Sequence, residues 1–99
     1  MKIDFAEIEW IDSAIGLRVK TFETDGKQLR LAEFSRNFQE TDWCEKSHIG
    51  YVIAGEIEID FAGRAEIFKQ GDGIFICPGK KHKARAMSEI TRLFLVEDV

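Results

Sequence analysis

The chain is short of several residue types, and each shortage removes a class of protein. No uninterrupted apolar run approaches the ~20 residues a membrane-spanning helix needs. The opening stretch, MKIDFAEIEWID, scatters acids where a secretion signal would carry a basic start and an apolar run. The expected location is therefore the cytoplasm. Positive charge is not in excess: 14 lysines and arginines face 18 aspartates and glutamates, for a net charge of −4. That argues against a nucleic-acid partner, which needs a basic face to neutralise phosphates, and no basic amphipathic helix suits a membrane surface. There are two cysteines, Cys44 and Cys77. Without a secretion signal they are expected as free thiols, not a disulfide. No linker, repeat or low-complexity tract divides residues 1–99, so one domain is expected.

Helical periodicity is lacking as well. What is present is alternation. In EIEIDF, Ile57, Ile59 and Phe61 alternate with Glu56, Glu58 and Asp60, as a strand with one dry and one wet face requires. The three acids are read as a solvated face, which also guards a sheet against edge pairing. Further strands are expected at GLRVKTF, QLRLAEF, HIGYVI, AEIFK, GIFI, HKARA and TRLFLVE. TDGK, AGRA and KQGD between them supply glycine for the positive φ of tight turns. Only the first dozen residues are ambiguous, between a short strand and a helical turn. Many short strands with close turns and no long helix imply an all-β sandwich or closed barrel, and a closed barrel can hold a ligand.

Two segments carry a family resemblance. GDGIFICPGKKH, from Gly71 through Gly79 to His82, resembles the second motif of the cupins, with Cys77 at the family's proline position and Pro78 next to it. HIGYVIAGE upstream matches the tail of the first motif through Tyr51, Val52 and Gly55. The reactive part departs from the family: His48 stands at the glutamate position, and Asp42 and Cys44 at the two histidine positions. Ala86 replaces a frequent asparagine. The resemblance covers about residues 28–96. It implies a double-stranded β-helix, or jelly-roll β-barrel, whose interior typically holds a metal on histidines and a glutamate. It does not imply one activity, because family members include several enzyme classes and metal-free sensors.

On a strand, Asp42 and Cys44 would share a face about 6.6 Å apart, whereas Cys44 and His48 would be about 13 Å apart. Cys44 and His48 can meet only if the chain bends at EKS, residues 45–47. In HKARA, His82, Ala84 and Ala86 share one parity and Lys83 and Arg85 the other, so His82 is expected to face inward. The expected metal ligands are thus His48, His82, Cys44 and Asp42. Oxygen, sulfur and imidazole donors together suit zinc, iron, nickel or copper, not calcium or magnesium. Cys44 could alternatively be a nucleophile with Lys46 and His48 nearby, but no orienting acid is evident in the sequence. Cys77, Trp43 and Tyr51 are expected to pack in the core or at an interface; Lys80, Lys81, Lys83 and Arg85 are expected as solvated turn and strand-face charges, with Lys80 or Lys81 at the barrel mouth, attracting a carboxylate, as the alternative.

Three functional classes follow. The first is a metal-dependent enzyme acting on a small organic molecule. The second is a metal-free barrel that binds or senses a small ligand through Cys44, His48 and His82. The third is a barrel with a vestigial pocket. Apolar residues on both parities of MKIDFAEIEW and TRLFLVEDV also lead us to expect a homodimer.

Overall fold

Alternation becomes architecture in a computed structural model that describes all 99 residues. A single 3₁₀ turn, Phe5–Glu7, is capped by the Asp4 side chain, which accepts the Ala6 N–H. Nine strands follow: β1 Ile11–Ala14, β2 Leu17–Thr24, β3 Lys27–Ser35, β4 His48–Ala54, β5 Glu56–Asp60, β6 Ala65–Lys69, β7 Gly73–Ile76, β8 Lys83–Ala86 and β9 Ile90–Asp98. The ambiguous N-terminal stretch is therefore both of the things its sequence allowed, a helical turn and then a strand. No helix is long and apolar enough to cross a membrane.

The strands form two antiparallel sheets, ordered β1-β2-β3-β9-β4-β7 and β6-β5-β8. They make an all-β jelly roll. The β2–β3 hairpin turns through Asp25 and Gly26, both at positive φ (49° and 74°), which is the backbone that an Asp-Gly pair favours. Beside β8 runs an irregular rail, residues 38–44. There Glu40 N–H donates to the Ala84 carbonyl and Ala86 N–H to the Phe38 carbonyl.

Inward-facing residues of both sheets close the core: Val19, Ala32, Leu93 and Val52 from the large sheet, Ile57 and Ile59 from the small one. Val52 and Ile57 are 0% and 1% exposed. The alternating acids of β5 are outside this core, as the sequence implied.

The outer face of the large sheet is apolar too. The N-terminal segment covers part of it. Phe5 meets Phe94 edge-on at 5.7 Å, and Lys20 Nζ donates to the Phe5 carbonyl. Beside them Arg18, Glu33 and Arg92 are cross-strand neighbours, and both arginines donate to the Glu33 carboxylate at 2.8 Å. Ile49, Tyr51 and Phe75, on β4 and β7, are left exposed on this sheet.

Candidate metal and ligand site

Between the sheets lies a cavity of about 300 Å³ with a mainly apolar wall. Cys44, His48 and His82 all line it. A larger hollow, about 590 Å³, runs along residues 12–18, but its main charged pair, Arg18 and Glu33, is consumed by mutual pairing. The chemistry is in the barrel.

Backbone pairing brings the three residues together. Cys44 and His82 exchange both backbone hydrogen bonds, at 2.8 and 2.9 Å, so their side chains leave the same side of the rail. His48 opens β4 opposite Ile76. The chain does bend between Cys44 and His48, with the Glu45 carbonyl held by the Gly79 N–H. As a result Cys44 Sγ lies 4.0 Å from His48 Nε2. The ligand atoms of Cys44, His48 and His82 all lie within 4.8 Å of one another. The two imidazole rings stand edge to face, centroids 5.1 Å apart.

Each ring is oriented through its other nitrogen. His82 Nδ1 is 2.8 Å from the Lys80 carbonyl, an acceptor only, so this nitrogen carries a proton and donates it. His48 Nδ1 is 2.5 Å from Glu97 Oε2. Burial pushes the Glu97 carboxyl up, but the His48 hydrogen bond and the Arg30 guanidinium outweigh it and hold the group below the usual carboxylate range. Glu97 is therefore ionised near neutrality and can only accept, which places the shared proton on His48 Nδ1. When neutral, both rings present an Nε2 lone pair, the arrangement that an oxygen accepting from Nδ1 imposes on metal-binding histidines.

Glu97 was not among the residues singled out in the sequence. A signal existed: Thr91, Leu93, Leu95 and Glu97 share the inward parity of β9, so an acid stood on an otherwise buried face. Arg30 is the same case on β3, between Gln28 and Ala32, and it also lines the cavity.

Other expected residues lie elsewhere. Asp42 is exposed and is not a member of the three-residue group. Residues 41–47 are not a strand, so the alternation that aligned Asp42 with Cys44 does not operate there. Trp43 and Tyr51 are surface residues, and Lys83 Nζ sits 4.2 Å from the Trp43 ring centroid. Cys77 is exposed, not packed, and both cysteines are free thiols. Lys80 reaches over the Phe61 ring, while the lysine that lines the cavity is Lys46.

An antiparallel jelly roll with two imidazoles and a thiol converging inside it places the chain among the small all-β barrel proteins. The sequence model of the Cupin domain family matches residues 42–97, more than half the chain, and the protein belongs to that family. Comparison with curated protein sequences gives no match. Among solved structures, KdgF from a Halomonas species is similar with a TM-score of 0.79 and 23% identity, covering 95% of this chain and 91% of that one. The polyketide cyclase RemF from Streptomyces resistomycificus is similar with a TM-score of 0.82 and 20% identity, covering 99% and 78%. A transcriptional regulator of the HTH_3 family from Vibrio cholerae has a TM-score of 0.70 and 13% identity over 85% of this chain. This chain spans only 51% of that regulator. At these identities the likeness concerns the fold.

Proposed function

We propose that the barrel binds a transition metal through Nε2 of His48, Nε2 of His82 and Sγ of Cys44, next to a cavity that takes a small organic molecule. The observation that carries this reading is that both histidines have Nδ1 tied to an oxygen acceptor, leaving Nε2 as the free donor of each. Two imidazoles and a thiol fit zinc, iron, nickel or copper. Asp42, being exposed, is outside this set. A bound metal would supply Lewis acidity toward a ligand oxygen or, for a redox metal, electron transfer. The chain's own part is to orient the rings through Glu97 and Lys80, and to surround the site with an apolar wall that limits water. The ligating form of Cys44 is the thiolate, so a reducing compartment such as the cytoplasm suits the site.

The test is elemental analysis of untagged protein purified without chelator, beside Cys44→Ala, His48→Ala and His82→Ala variants. Near-stoichiometric zinc, iron, nickel or copper in the parent and loss of it in each variant is the expected result. A parent that stays metal-free after reconstitution under reducing conditions removes the metal and leaves a metal-free ligand-binding barrel. We also propose a homodimer formed through the outer face of the large sheet, where Ile49, Tyr51 and Phe75 are 52%, 51% and 73% exposed. Sedimentation at the mass of one chain at micromolar concentration would refute it.

A further inference from the structure

Arg30 sits in the cavity wall with most of its hydrogen-bonding capacity unspent. It lies on the inward parity of β3, and its guanidinium makes one hydrogen bond, 2.7 Å from a terminal nitrogen to Glu97 Oε2. Its Nε is buried and has no partner. A guanidinium carries five N–H donors, and a buried donor left unpaired calls for an explanation such as a missing ligand.

Both acids of the wall already accept hydrogen bonds. Glu40 accepts the Ala84 N–H, and Glu97 accepts from both His48 and Arg30. Lys46 also lines the cavity and no acid pairs with it, so it and the spare donors of Arg30 are the cationic groups open to a ligand. Around these groups stand Ile57, Ile59 and Leu95, which offer no competing acceptor.

From this juxtaposition we infer that the small molecule taken by the cavity is a carboxylate, received by Arg30 with Lys46 at its side. A carboxylate matches the planar donor fork of arginine better than any neutral group, and the charge-assisted bonds are the stronger kind. The inference rests on the reading of the cavity as a small-molecule pocket, and not on the metal. Arg30 selects by charge at the end of the ligand it faces, so a neutral molecule of the same shape is discriminated against.

The experiment titrates acetate, malonate, succinate and citrate, each beside its amide, into metal-stripped and zinc-loaded protein by calorimetry and thermal shift. Zinc content is measured separately. At least one acid is expected to bind tenfold or more tighter than its amide. Arg30→Gln should lose that preference, and Arg30→Lys should keep part of it. Because Arg30 also holds Glu97, a variant could unfold. The Arg30 Nε–H resonance of the wild-type protein therefore provides a second readout, and should shift on titration with the acid that binds. Acids that bind no tighter than amides, no binding of any acid, or an unmoved Nε–H resonance overturns the inference. Arg30-dependent acid binding by protein that takes no zinc supports it while removing the metal reading. Zinc uptake without acid binding overturns it and leaves the metal reading intact.

Discussion

Replacing Glu97 with glutamine would test whether the site depends on its outer shell. The carboxylate of Glu97 accepts from His48 Nδ1 at 2.5 Å and from the Arg30 guanidinium at 2.7 Å through the same oxygen, Oε2. Glutamine keeps the shape and can set its carbonyl oxygen where Oε2 stands, but it brings no charge to hold the two donors. The His48 ring loses the charged partner that orients it, while Cys44 and His82 are untouched. Loss of such a partner typically weakens metal binding 10–100-fold, or ~1.4–2.8 kcal/mol. The assay is zinc competition against a chromophoric chelator at fixed pH under reducing conditions, for wild type, Glu97→Gln and His82→Ala. Glu97→Gln should fall between the other two, because it removes an orienting group and His82→Ala removes a ligand atom. Equal affinity in wild type and Glu97→Gln would refute the claim that the Glu97 contact prepares His48 as a donor.

Three further outcomes follow from the fold. The Glu33 carboxyl is pushed up by burial, but hydrogen bonds from Arg18 and Arg92 and their charges hold it below the usual value of 4.5. Its folded pKa is thus depressed, so its stabilisation is complete above the unfolded carboxylate pKa and is lost as pH falls below about 4.5 through the folded value. Both arginines are roughly half exposed, which limits the contribution to about 1 kcal/mol. Thermal melts of Glu33→Gln should show a Tm ~4–8 °C lower at pH 7, with the difference closing in acid; a gap that widens in acid would contradict the sign. Ile57→Ala, at a side chain 1% exposed, should cost ~2–5 kcal/mol in urea unfolding, and a loss below about 1 kcal/mol would mean that the core collapses into the cavity. Gly55→Ala should cost more than about 1 kcal/mol, since φ is +79° and the new Cβ would lie 2.4 Å from the Ile90 carbonyl oxygen; unchanged melting would show that this turn gives way.

The elements of this fold were legible because alternation is a local signal. EIEIDF announces β5 and its wet face without reference to any other strand, and TDGK announces its hairpin through two residues alone. The site was legible only as far as local rules reach. The small neighbours of His82 mark it as inward, and it is 2% exposed. Asp42 was aligned with Cys44 by a parity that holds for strands, but the chain there is an irregular rail whose direction is fixed at Cys44 by pairing with His82. The contact of His48 with Glu97 depends on the register of β4 against β9: Ile49 faces Val96, and the residues just beyond that pair, His48 and Glu97, meet through their side chains. No local pattern encodes a register between segments so far apart in the chain. What the sequence did offer was an anomaly on each strand: an arginine among the inward residues of QLRLAEF and a glutamate among those of TRLFLVE. A charged group on a buried parity must find a partner there, because an unpaired buried charge is too costly to keep. One cation and one anion displaced to the same interior are each other's most economical partner, and they meet at the cavity. The misplaced charges of two strands were thus a better guide to the site than the motif position of Asp42, and the donors left over on Arg30 are the part of that anomaly the protein alone does not satisfy.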